Sequence, residues 1–138
     1  MTLEEVFDIA RRKRFLVVST VNELGAPEAA LMGFAVTQSN EIVFDTLASS
    51  RKAVNLARNP SAAVVIGWDD NMSLQIEGSA RRPVGDDLAS SKAAYFREWP
   101  DGRARETWPD IAYVVVRPQW IRYSNYAAGP PVVEEFRV

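Results

Sequence analysis

The sequence predicts a mainly β protein, an antiparallel barrel of six or seven strands with short helices at its ends. Three observations carry that reading. Six or seven segments rich in β-branched and aromatic residues are each bounded by turn signals. Only two or three stretches show helical periodicity, and all are short. The chain has 138 residues, enough for a single domain spanning 1–138 with its own core, yet few enough that dimerisation would help to bury surface.

Thr2 and Glu5 form a capping-box pattern, and Leu3, Val6, Phe7 and Ala10 share one face of the short helix that follows. Arg11, Arg12, Lys13 and Arg14 come next and read as a solvated run complementing the helix C-terminus. Phe15–Val21 is a strand, Asn22-Glu23-Leu24-Gly25 a hairpin turn and Pro27–Thr37 the returning strand. Ser39-Asn40 turns the chain into a third strand, Glu41–Thr46. A helix opens near Ser50; Ala53, Val54, Leu56 and Ala57 give its buried face, and Asn59-Pro60 stops it. Ala62–Trp68 is a near-continuous apolar strand, and Asp69-Asp70-Asn71 a turn. Met72–Arg82 is a long strand in which Gly78 suggests a bulge. Asp86 or Asp87 opens a helix running to about Phe96. Trp99–Pro109 is a loop, and Ile111–Tyr123 is the last strand, with Pro118 at a bend or an edge. Residues 126–138, with Gly129-Pro130-Pro131 near their start, read as an extended and loosely held tail.

The stretch Phe44–Pro60, FDTLASSRKAVNLARNP, carries the strongest functional signal. Ser50 is placed to cap the helix, and Arg51 and Lys52 fall in its first turn. Cations are disfavoured there, because a helix N-terminus already carries partial positive charge. Ser49, Ser50, Arg51 and Lys52 together make sense if an anion, with phosphate the obvious candidate, sits among them and the free N–H groups. The same residues also fit a plain helix start, with solvated charges and serines serving only as caps.

Composition narrows the function classes. Apolar content of 47% and charged content of 25% belong to an ordinary globular domain. A net charge of −2 gives no strong pull toward nucleic acid or anionic membrane. No apolar run approaches bilayer length and no signal-peptide core opens the chain, so a cytoplasmic location is expected. There is no Cys and no His, which removes disulfides, thiol nucleophiles, His-assisted triads, the usual zinc sites and His-ligated haem. No Asp/Glu cluster suggests a metal site either. Any redox or group-transfer chemistry would most economically come from a borrowed cofactor.

The strand, the DTLASSRKAVNLARNP helix, the apolar strand ending in Trp68, the turn and the IEGSA strand follow a familiar order. That order resembles the pyridoxamine 5′-phosphate oxidase-like family of FMN-binding split β-barrels, and in particular its short general-stress-protein branch. The likeness runs from about Phe15 to Tyr123 and is most specific from Thr46 to Pro60. It implies FMN as cofactor, with Arg51 and Lys52 gripping the phosphate, Ser49 and Ser50 at the helix start, and Asp45 and Thr46 at the end of the preceding strand. It also implies that Ala30–Ala35, including Leu31, Met32 and Gly33, lies along the flavin, and that the protein is a homodimer with the flavin at its interface. Read directly, Ala30, Gly33 and Ala35 are small enough for a flat ring to approach, although ALMGFA also reads as an ordinary buried strand. Trp68 and Gln75 are placed to face the same cleft. The loop Glu98–Pro109 carries Trp99 and Trp108. Trp99 either anchors the loop on its own barrel or reaches over the flavin cleft of a partner subunit. Pyridoxamine-phosphate oxidases proper carry a C-terminal extension with further contacts, and no equivalent follows WIRYSNYAAGPP. The strand that offers an Arg and a Lys to FMN in those enzymes has only apolar and small residues here.

The function so implied is an FMN-dependent oxidoreductase acting on a small molecule, with hydride chemistry carried by the flavin. No side chain stands out as a general base, and no catalytic residue is assigned. Two other readings share the fold: a flavin-binding or flavin-sequestering protein without turnover, and a deazaflavin (F420)-dependent reductase.

Overall fold

The computed structural model describes residues 1–127 and 129–138. Local signals set the first element. In α1 (Leu3–Arg11) the Glu5 N–H donates to Thr2 Oγ1 at 3.2 Å and the Thr2 N–H donates back to Glu5 Oε2 at 2.6 Å, closing the capping box. Its apolar face, Val6, Phe7 and Ala10, joins the barrel core. Three of the four basic residues that follow are tied down rather than merely solvated, and Arg12 is exposed. Arg11 pairs with Glu4 and Asp8 and donates to the Thr37 carbonyl, and Lys13 pairs with Asp69 at 3.0 Å. The Arg14 guanidinium lies 4.1 Å from the centre of the Trp99 ring.

β1 (Phe15–Val21) and β2 (Pro27–Gly33) form the first hairpin, with Gly25 supplying the positive φ its turn needs. The returning strand expected over Pro27–Thr37 is broken. Phe34, 1% exposed, turns into the core, and the chain leaves the β1 edge as β3 (Ala35–Val36) to pair with β4 (Ile42–Leu47). Asn40 takes positive φ in the turn between them. α2 (Arg51–Arg58) follows, then β5 (Ser61–Ile66) and β6 (Met72–Arg81). α3 (Gly85–Glu98) starts without a side-chain cap and runs to the edge of Trp99, and a 3-10 turn at Pro100–Arg105 orders part of the expected loop. β7 (Ile111–Asn125) and β8 (Val132–Arg137) complete the chain.

The strands form one antiparallel sheet in the order β2-β1-β5-β6-β7-β4-β3. β7 is long enough to pair β6 on one edge and, on the other, β4 with its first half and β8 with its second. This is a half-barrel, the split β-barrel expected, with short helices around it. Gly78 does mark a bulge: it faces Pro118 while Glu77 faces Trp120, leaving Gln119 unpaired. A Cβ at Gly78 would lie 2.3 Å from the Arg117 carbonyl oxygen, so the close backbone approach requires glycine. The tail is extended as read, but it is held, because Val132–Arg137 pairs with Trp120–Asn125. Ala128 lies outside the described residues.

Alternation sorts the strands into two faces. Leu16, Val18, Val64, Ile66, Leu74 and Ile76 point into the core. On the outer face the register lines up Leu31, Val17, Val65, Gln75 and Arg122 across five strands. Leu31 is 62% exposed there, with Val65 and Phe15 also open to solvent. Among the described residues, no helix is long and apolar enough to cross a membrane.

Candidate functional site

The stretch from β4 into α2 gathers four of the expected residues. Ser50 is the N-cap, its Oγ accepting from the Ala53 N–H at 3.3 Å. The Thr46 hydroxyl donates to Ser50 Oγ at 3.0 Å, and Lys52 Nζ donates to Thr46 Oγ1 at 3.3 Å. Arg51 sits beside them. No acidic residue occupies the first turn of α2. Two carboxylates from elsewhere in the chain stand near it instead.

One is Asp110, whose Oδ2 accepts from both the N–H and the hydroxyl of Ser49. The Ser49 hydroxyl is thereby committed to Asp110. The other is Glu28 on β2, which pairs with Arg51 at 2.5 Å. Glu28 also accepts from Asn55 Nδ2 at 2.8 Å and Asn22 Nδ2 at 3.3 Å. The Arg51 contact, then the Asn55 amide, hold its pKa down at about 2. Asn55 is 4% exposed and donates a second time, to Thr20 Oγ1, which explains why it replaces Val54 on the buried face of α2. Val54 and Ala57, expected to be buried, face solvent.

Lys52 stands differently. Among the described residues no carboxylate pairs with it, and burial pushes its pKa down because the charged form is poorly solvated. A cleft of about 260 Å³ opens in front of it, lined by Val18, Thr20, Glu28, Ala29 and Ala30 from the β1–β2 hairpin and by Arg51 and Lys52. The arrangement offers one uncompensated cation, a second cation held by a carboxylate, and hydroxyls nearby. Chemically it suits a small anion.

The other expected residues are spread over the fold. Asp45 turns toward α3, accepting from the Tyr95 hydroxyl at 2.9 Å and Arg105 Nε at 2.8 Å. Its charge raises the Tyr95 pKa, although burial of that hydroxyl is the larger cause. Met32 packs against the core, while Leu31 points out on the opposite face of β2. Gln75 shares that outer face, and Trp68 stands on the β5–β6 turn beside Lys13 and Phe15. Trp99 packs on its own chain. Its Nε1 donates to the Phe34 carbonyl at 3.0 Å, its ring meets Phe15 edge-on at 5.6 Å, and it covers Gly33 so closely that a Cβ there would lie 2.7 Å away. A larger cleft, about 350 Å³, opens between α1, β3 and α3 beside Arg11 and Arg97. Arg11 is already engaged by Glu4 and Asp8, and of the stretch expected along the cofactor only Phe34 and Ala35 line that cleft, with none of the residues expected at the phosphate.

Comparison with known proteins places the chain. A family model described as pyridoxamine 5′-phosphate oxidase matches residues 2–125. The chain belongs to that family. It is 35% identical over 103 residues to a pyridoxine/pyridoxamine 5′-phosphate oxidase of Streptomyces avermitilis, a match covering 73% of this chain and 44% of that one. It therefore spans less than half the length of that relative. Among solved structures, a heme binding protein from Mycobacterium smegmatis superposes with a TM-score of 0.85 at 22% identity, over 97% of this chain and 57% of the other. A pyridoxamine 5′-phosphate oxidase-related, FMN binding protein from Nostoc punctiforme PCC 73102 gives 0.74 at 13% identity, over 100% and 97%. At such identities these structures share the fold.

Within this family member, sequence reasoning missed Thr20, Glu28 and Asn55. Asn55 carried a usable signal, since it lies one helical turn after Arg51 and next to Leu56, a polar residue on the inner side of an amphipathic helix. Glu28 and Thr20 carried none, because only the folded hairpin brings them to α2.

Proposed function

We propose that the cleft at the start of α2 binds the phosphate of FMN and that the protein is a flavin-dependent oxidoreductase acting on a small molecule. One observation carries this reading: Lys52, half-buried and without a carboxylate partner among the described residues, lines a cleft with Arg51 and Thr20 and has the Thr46 hydroxyl as its hydrogen-bond partner. A desolvated cation is costly unless an anion compensates it. Lys52 and Arg51 would hold the phosphate, and Ala29 and Ala30 leave room beside it. FMN, when bound, would supply hydride chemistry. The chain's own part is to fix the phosphate and to orient the group it carries. The FMN binding described for the Nostoc protein supports the same choice. Heme fits this chain less well, since it has neither His nor Cys to serve as an axial ligand.

A homodimer with the flavin at its interface belongs to the same proposal. The cleft of about 260 Å³ falls below the roughly 300–1,000 Å³ usual for sites that enclose a drug-sized ligand. The opposite, outer face of the sheet exposes Phe15, Leu31 and Val65, apolar surface that a second copy would cover. A cytoplasmic setting is part of the proposal as well.

The deciding experiment is titration of the purified protein with FMN, riboflavin and F420 in parallel. FMN binding clearly more tightly than riboflavin supports the phosphate site; equal binding of the two removes it, and preference for F420 transfers the site to the deazaflavin. Bleaching of the bound flavin by NADH or NADPH, followed by reoxidation in air, separates an oxidoreductase from a flavin store. A monomer by sedimentation at micromolar concentration that still holds FMN would sink the interface proposal.

A further inference from the structure

We propose that Glu28 is an internal competitor for the ligand's phosphate: it holds Arg51 in the ligand-free chain, and the phosphate must draw that guanidinium away. This rests on the reading of the cleft as a phosphate site. A carboxylate and a phosphate are alternative acceptors for the same planar fork of N–H donors. Glu28 Oε2 occupies Arg51 at 2.5 Å inside the cleft that Lys52 lines.

The two partners differ in how firmly they are held. Glu28 is fixed by the amides of Asn55 and Asn22, and Asn55 is itself buried and tied to Thr20. The Glu28 side chain is 19% exposed, whereas that of Arg51 is 76% exposed. Arg51 is therefore the partner free to move, and Glu28 stays in the cleft when it leaves. An incoming phosphate meets two costs: the lost ion pair and a like charge left on β2. Glu28 thus limits how much Arg51 adds to binding, and it favours ligands that draw on Lys52 alone.

The test is the ratio of the riboflavin Kd to the FMN Kd, measured by flavin fluorescence at fixed ionic strength for the parent and for Glu28→Gln. Releasing Arg51 to the phosphate should raise that ratio about tenfold, with the riboflavin Kd unmoved. The salt dependence of FMN binding should steepen as well, because one more cation then acts on the ligand. A ratio that stays level or falls in a folded Glu28→Gln protein overturns the proposal. Should the amide variant not fold, Glu28→Ala is read the same way. A parent that prefers FMN while the variant shows no gain brings down the competitor alone. If neither protein distinguishes the two ligands, the phosphate site falls with it.

Discussion

Lys52→Met is the most discriminating single change, because two opposite effects of the charge separate in it. Methionine keeps most of the stem and its packing while removing the ammonium group. In the ligand-free protein that removal takes away one long hydrogen bond, 3.3 Å to Thr46, worth at most about 0.5–1.5 kcal/mol. It also relieves the desolvation that lowers the Lys52 pKa. The two oppose each other, so the melting temperature should move by less than about 4 °C in either direction. Binding has no such offset. A hydrogen bond to a charged group contributes about 1.5–3 kcal/mol, and the open cleft argues for the lower end, so FMN should weaken by about ten- to thirtyfold. Riboflavin, lacking the phosphate, should bind as before. Since the folded-state pKa of Lys52 lies below its ordinary 10.5, the folded protein holds that proton less tightly than the unfolded chain does. The parent should therefore gain stability relative to Lys52→Met as the pH rises through the lowered value toward 10.5. Thermal melts and two flavin titrations on one variant suffice. Unchanged FMN binding would put the phosphate elsewhere, and equal loss of both flavins would show that Lys52 supports the fold or the ring rather than the phosphate.

Three further outcomes follow from the same geometry. Glu28, held at about pKa 2 against an ordinary 4.5, stabilises the fold fully above the higher value and ceases to as the pH falls through the lower one. The stability gap between parent and Glu28→Gln, read from urea melts, should be flat in neutral solution and close on the acid side. Trp99→Ala should cost about 2–4 kcal/mol, somewhat below a fully buried tryptophan, because it opens the surface of Gly33 and frees the Phe34 carbonyl. Unchanged stability with altered flavin binding would instead assign Trp99 to the ligand. Asp45→Asn should lower stability by about 1–3 kcal/mol, less than for a fully buried pair since Arg105 keeps 25% exposure, and should leave the FMN affinity as it was. A selective loss of FMN in that variant would return Asp45 to the cleft.

Features with short-range causes were legible in the sequence. The Thr2–Glu5 box, the Gly25 and Asn40 turns and the Ser50 cap are each decided within a few residues, and each forms. The Gly78 bulge is longer in range, yet a lone glycine inside a strand points to a bulge or a close backbone approach, and here it marks both. What escaped depends on residues far apart in the chain. The break at Phe34 exists because a phenylalanine fills the core where a straight strand would expose it, and nothing in ALMGFAVT says so. β8 was hidden by the Gly129-Pro130-Pro131 run, which describes the approach to a strand rather than its absence.

The charges at α2 make the same point about function. Counted along the sequence, Arg51 and Lys52 are equivalent cations at one helix start. The fold makes them unequal, because the β1–β2 hairpin sets Glu28 against Arg51, whereas no carboxylate among the described residues pairs with Lys52. A motif of two adjacent cations thus names a place but not the division of work within it. That division depends on a carboxylate three strands earlier in the chain and on the buried amide of Asn55 that fixes it. On the reading proposed above, Lys52 would set whether a phosphate binds, and the hold of Glu28 on Arg51 would set how tightly.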